Sequence, residues 1–181
     1  MSLKFTANIN NPPHIYADDT LYFLTATTLY HACLLASPEH KMYFQEQLFE
    51  VAYNYKIELK AWVVLDNHYH ALFYLPTGDN LSGFVKSLHT RTAITFNQLD
   101  NHPGRQVWWN YWDWCIRGKE DYWRHFNYTR YNPVKHGYVQ QLRDWPYSSL
   151  LNYMQTKGRD WLDDCWRSYP IREFQVDHDK F

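Results

Sequence analysis

Cysteine is scarce in this chain, and so are glycine, net charge and long apolar runs. The three cysteines, Cys33, Cys115 and Cys165, are odd in number, widely spaced and without a C-x-x-C pair. That excludes a disulfide framework and a cysteine-built zinc site. No apolar run approaches the ~20 residues needed to span a bilayer. The opening stretch MSLKFTANINNPPHIY lacks an apolar segment followed by small residues, so no secretory signal is expected. These absences together predict a soluble protein of a reducing cytoplasm, without membrane attachment. There is no repeat of fixed period and no low-complexity tract, and 181 residues suit one sizeable core rather than two.

A net charge of −1 excludes a uniformly basic surface. The distribution is less even. Residues 1–80 hold four basic and eight acidic side chains, residues 81–150 nine and five, and residues 151–181 five and six. The basic middle also carries Trp108, Trp109, Trp112, Trp114 and Trp123 within sixteen residues. Aromatic faces on which bases stack, interleaved with cations that track phosphates, are what a single-strand binder needs. Burial in a core is the other use of such rings.

The hydrophobic pattern orders the elements. LYFLTATTLY, Leu21 to Tyr30, reads as a strand. Ser37 and Pro38 then open a helix whose stripe is Phe44, Leu48, Val51, Ala52 and Tyr55. IELKAWVVL and YHALFYLP form two strands around the turn formers Asp66 and Asn67. A second helix follows, with Asn80 as a cap and Leu81, Phe84, Val85, Leu88 and Thr92 at helical spacing. YWDWCIRG reads as a fourth strand. The order β-α-β-β-α-β predicts an α+β, ferredoxin-like antiparallel sheet with two helices on one face. A third helix begins near Lys119, with Glu120 and Asp121 in its first turn, and Pro133 predicts its end at Tyr131 or Asn132. The Trp- and Tyr-rich residues beyond Asp144 carry no clear pattern.

Two constellations bear chemistry. His68 and His70 open a strand at positions i and i+2, so both imidazoles leave the same face while Tyr69 leaves the other. Such a pair suits chelation of one metal ion, and equally suits two hydrogen-bonded structural histidines. The second constellation is DYWRHFNYTRYNPVKHGYV, Asp121 to Val139. A helix there sets Arg124, Tyr128, Tyr131 and Asn132 along one stripe, with His125 at its edge. Tyr128 lies one turn before Asn132, either as a nucleophile beside a ligating amide or as a core ring.

Together, DNHYHALFYLP, DYWRHFNYTRYNPVKHGYV and DWPYSS resemble the REP-associated tyrosine transposases, which belong to the single-tyrosine His-hydrophobic-His endonucleases. The resemblance runs from about Tyr22 to Leu150, and the central residue of the histidine motif, normally aliphatic, is here Tyr69. It implies a catalytic domain over 1–150, with 151–181 an extension of the same domain. His68, His70 and Asn132 then hold a divalent metal, Mg²⁺ or Mn²⁺, and Tyr128 is the nucleophile. The implied activity is nicking and strand transfer of single-stranded, hairpin-forming DNA through a 5′-phosphotyrosine, by a monomer or homodimer. His125 or Lys135 would assist a hydroxyl whose ordinary pKa is about 10. Lys86, Arg91, Arg117, Arg124 and Arg130 are candidate phosphate contacts. A hairpin-binding module that does not cut, and a metal-dependent phosphoesterase using water, are the other classes that fit.

Overall fold

The computed structural model describes residues 4–8, 11–172, 174 and 176. A hairpin comes first, β1 (Lys4–Asn8) antiparallel to β2 (Asn11–Tyr16), which the sequence pattern did not announce. Then follow β3 (Thr20–Thr28), α1 (Pro38–Asn54), β4 (Glu58–Val64), β5 (His68–Leu75), α2 (Asn80–Leu99) and β6 (Trp108–Cys115). The four later strands form one antiparallel sheet in the order β4-β5-β3-β6. This is the ferredoxin-like arrangement, with β5 and β3 in the middle.

Side chains alternate across the two central strands, and each set has its own core. Tyr22, Leu24, Ala26, Tyr69, Ala71 and Phe73 pack against Phe44, Leu48 and Val51 of α1 and Phe84, Leu88 and Phe96 of α2. Ser37 Oγ accepts from the His40 N–H at 3.0 Å, so α1 starts where Ser-Pro places it. The cap of α2 differs from expectation. Asp79 holds that position without capping the helix through its side chain and Asn80 is the first helical residue, because backbone bonds from Asn80 N to the Thr77 carbonyl and from Leu81 N to the Gly78 carbonyl already close the turn.

The other face of the sheet is covered as well, by the part of the chain whose pattern was obscure. The third helix, α3 (Lys119–Lys135), lies there with α4 (Leu150–Thr156) and α5 (Arg159–Ser168). Phe23, Ala61 and Leu72 meet Phe126 and Tyr128 of α3, Leu150 of α4 and Leu162 of α5 in a second core. Residues 177–181 of the expected extension lie outside the described residues.

Pro133 does not end α3, which runs two residues further to Lys135. Proline withdraws one donor from the ladder, but His136 N bonds the Asn132 carbonyl at 3.0 Å and Tyr138 N bonds the Pro133 carbonyl at 2.9 Å, so the last turn still closes. Gly137 then leaves the helix at φ 72°, a conformation that costs glycine little. No helix among the described residues is long and apolar enough to cross a membrane.

Candidate active site

The site is built where β5 begins. The turn before it is pinned from three sides: Leu35 N bonds the Asp66 carbonyl at 2.8 Å, Thr28 N bonds the Asn67 carbonyl at 2.9 Å, and Lys41 pairs with the Asp66 carboxylate at 2.6 Å. His68 and His70 therefore leave the sheet from a fixed backbone, on the face covered by α3, with ring centroids 5.1 Å apart. Tyr69 goes to the opposite core, against Phe44 and Trp108, and its hydroxyl meets His89 Nε2 at 3.0 Å. The unusual residue of the motif thus faces away from the site.

Hydrogen bonds set the tautomer of His68. Asn67 Nδ2 donates to the His31 carbonyl at 3.2 Å, which leaves Asn67 Oδ1 as the atom 2.6 Å from His68 Nδ1. An amide oxygen only accepts, so Nδ1 carries a proton, and in the neutral ring Nε2 then presents a lone pair. Facing it, 3.3 Å away, is Asn132 Oδ1. A lone pair there and the amide oxygen are two acceptors turned toward each other, a contact eased by a proton on Nε2 or by a cation between them. His70 is held in the same manner, its Nδ1 2.8 Å from Thr25 Oγ1 and its ring stacked on Phe23 at 5.3 Å. Burial, with the nearby Lys135, His136 and His125 charges, pushes the His70 pKa well below its ordinary value, so the ring is neutral. Partners at Nδ1 that orient the ring are what a metal-binding imidazole requires. Among the described residues no cluster of three His, Cys, Asp or Glu side chains is placed to hold a metal; a cradle here depends on the Asn132 amide.

Tyr128 stands one turn before Asn132, only 2% exposed, with its ring edge-on to His70 at 5.5 Å. Phe174 packs on its other side at 5.7 Å. Its hydroxyl accepts from Lys135 Nζ at 2.7 Å, and that ammonium also lies over the ring at 4.9 Å. His125 does not reach the hydroxyl. Its Nδ1 is engaged by Asp121, at 2.9 Å from the carbonyl and 3.1 Å from the carboxylate, and its ring is wedged between Phe23 and Phe174. Tyr131 turns to Trp166 of α5, and Tyr122 to Phe126 and Trp123.

The five candidate phosphate contacts lie elsewhere. Lys86 is exposed on α2, and Arg91 pairs with Glu50 of α1 at 2.6 Å, both on the far side of the sheet. Arg117 covers Trp114 at 5.3 Å, and Arg124 pairs with Glu120. Arg130 is 5% exposed, donates to the Leu162 carbonyl and lies between Phe126 and Trp166. Four further residues complete the site without having been singled out from the sequence. Thr25 and Asn67 orient the imidazoles. Thr27, level with His68 across β3 and β5, has a buried hydroxyl without a hydrogen-bond partner among the described residues. His136 lies against His68 at 5.0 Å, and burial and Lys135 push its pKa to about 4. Only His136 had a sequence signal, one turn beyond Asn132.

A chain with this sheet, a same-face histidine pair and a tyrosine helix facing it is of the transposase class. The family model described as "Transposase IS200 like" matches residues 19–117, more than half of the chain, ending just before α3. The REP-associated tyrosine transposase of Escherichia coli K12 is 30% identical over 137 residues, covering 75% of this chain and 79% of that protein. A Haemophilus influenzae protein described in the same terms is 31% identical over 167 residues, covering 82% and 93%. A solved REP-associated tyrosine transposase, bound to a REP hairpin, superposes with a TM-score of 0.70 at 26% identity, covering 83% of this chain and 88% of that one. The protein belongs to the IS200-like transposase family.

Proposed function

We propose that the protein nicks and rejoins single-stranded, hairpin-forming DNA through a covalent phosphotyrosine, with Tyr128 as nucleophile and His68, His70 and Asn132 holding a divalent cation. The observation that carries this reading is the pair of opposed acceptors, His68 Nε2 and Asn132 Oδ1, 3.3 Å apart and one helical turn from Tyr128. Mixed nitrogen and oxygen donors suit Mn²⁺ or Mg²⁺. Such an ion, when bound, polarises the scissile phosphate and offsets the charge that builds on it.

The chain's own groups supply the rest. Lys135 places positive charge on the oxygen that must lose its proton, and Tyr128 Oη attacks phosphorus. The new bond joins tyrosine to the 5′ side of the break, the P–O3′ bond opens, and the 3′ oxygen leaves as a hydroxyl that reverses the reaction later. Attack requires the ring edge covered by Phe174 to open. The family and the solved relative bound to a REP hairpin support this substrate class.

Incubation with a single-stranded hairpin oligonucleotide and Mn²⁺, followed by denaturing electrophoresis, tests the proposal. A covalent protein–DNA band is expected, absent in Tyr128→Phe. Cleavage that releases two free ends without that band would establish a water-based phosphoesterase instead, and binding without any cleavage a hairpin-binding module.

A further inference from the structure

Irregular backbone gathers at one corner of the sheet, level with His68. Between the pairs Ala26↔Tyr111 and Thr28↔Trp108 the β3–β6 register slips, so Trp109 and Asn110 stand opposite Thr27 alone. This is a β-bulge, a device that re-aims side chains beside active sites. Thr27 is paired on its other side with His68. Directly after β3, in the turn Leu29–His31, Tyr30 and His31 both adopt φ 55°, the left-handed region that side-chain-bearing residues avoid. Bonds hold the turn in that form: Leu29 N to the Val107 carbonyl at 2.8 Å, Thr28 Oγ1 to the Ala32 carbonyl at 2.6 Å, and Asn67 Nδ2 to the His31 carbonyl at 3.2 Å. The outcome is an aromatic pair standing in water. Tyr30 is 86% exposed and Trp109 58%, with centroids 6.5 Å apart and planes inclined by 23°.

A strained turn that exposes a tyrosine beside an exposed tryptophan adds little to the core, so its use lies outside the fold. We infer that Tyr30 and Trp109 form a stacking platform for one unpaired base of single-stranded DNA, next to the phosphate that is cut. This rests on the single-strand substrate proposed above and names where the strand lies. The occupant follows from Asn67, which joins two places: its amide nitrogen holds the His31 carbonyl, and its amide oxygen holds His68 Nδ1. A base on the platform is therefore one side chain away from the histidine pair. Every base offers a π face, so the platform is tolerant of sequence. A base inside a duplex has both faces covered by its neighbours, which leaves the unpaired base as the one that fits.

The test uses the full chain carrying Tyr128→Phe, so that binding is read without cleavage. Fluorescence anisotropy follows hairpin oligonucleotides in which a single abasic site is walked along the unpaired flank. Tyr30→Ala and Trp109→Ala should each weaken binding roughly 5- to 150-fold, the range for loss of one base–aromatic stack. Tyr30→Phe and Trp109→Phe should bind nearly as the parent does. One abasic position should weaken the parent by the same factor and cost the alanine variants nothing further. Circular dichroism should report the parent fold in all four, since both side chains are exposed. Alanine variants that bind as tightly as the parent, or that lose further affinity at every abasic position, overturn the platform. A loss seen equally with blunt duplex, and a flat abasic scan, would assign the pair to a duplex end and overturn it too. Single-strand binding that ignores the platform refutes this inference alone, whereas a parent that binds no single strand removes the proposed function with it.

Discussion

Lys135→Met is the sharpest perturbation of the proposed chemistry, because it removes the hydrogen bond that Lys135 Nζ donates to the Tyr128 hydroxyl and leaves a side chain of similar length. A unit charge against the oxygen of a forming phenolate would be worth several kcal/mol at an effective dielectric constant of about 20. Lys135 is exposed along much of its length, and solvent screening cuts that figure. A charge-assisted hydrogen bond of about 1.5–3 kcal/mol is the better guide. The rate of adduct formation at pH 7 should therefore fall about 10- to 150-fold. The deficit has a pH signature. Burial holds the Lys135 pKa below its ordinary value, so the parent loses this charge as the medium turns alkaline and the variant should regain ground on it. Single-turnover formation of the covalent band, measured from pH 6.5 to 9.5 with saturating DNA, reads both effects. An unchanged rate at pH 7 would dismiss Lys135. A deficit that stays constant up to pH 9.5 would show that the variant lacks something other than the titrating Lys135 charge.

The other expectations concern the cradle and the buried histidines. His68→Ala combined with His70→Ala should keep the fold, by circular dichroism, and abolish cleavage; full activity in excess chelator with metal removal verified would dismiss the metal. Asn67→Ala, which frees the tautomer of His68, should weaken Mn²⁺ binding by calorimetry about 10- to 100-fold, and an unchanged affinity would show that Asn67 does not prepare the ligand. Tyr128→Phe should remove the covalent band while Tyr131→Phe keeps it; the reverse would move the nucleophile one turn along α3. His89, packed between Tyr69 and Trp108, has its pKa pushed down to about 3 by desolvation. Its native pKa is below the unfolded value of ~6.5, so it withholds a proton that the unfolded chain binds. Stability should be intact above pH 6.5 and fall as acid is added toward pH 3, by about 1.4 kcal/mol per pH unit from this group alone. His89→Phe should flatten that slope in urea melts between pH 4 and 6.5, and an unaltered slope would mean that His89 titrates normally.

Local patterns carried much of the sheet and helices. Ser37-Pro38 caps a helix because its groups act on neighbours three residues away, and His68, Tyr69 and His70 alternate faces because a strand has period two. Tyr128 and Asn132 share a face for the same kind of reason, standing four positions apart on a helix. Lys135 rather than His125 at the Tyr128 hydroxyl was less legible, since the choice depends on α3 continuing past Pro133 to carry Lys135 round to the face of Tyr128. Which tryptophans meet solvent was not legible either. Trp108 is buried against Phe44 and His89 while its neighbour Trp109 is exposed.

By itself the sequence determined what depends on spacing along the chain: the four strands and three helices from β3 to α3, their order, the paired histidines and the tyrosine one turn from an amide. Tertiary structure alone decided what depends on register between distant segments. Thr25 meets His70, and Thr27 lies level with His68, only because β3 pairs with β5 in one alignment. Asn67 reaches His31 through a turn bond spanning 36 residues, and the β6 bulge that turns Trp109 outward exists only in the match with β3. A slip of one residue in that pairing would leave every local pattern intact and send each of these side chains to the opposite face.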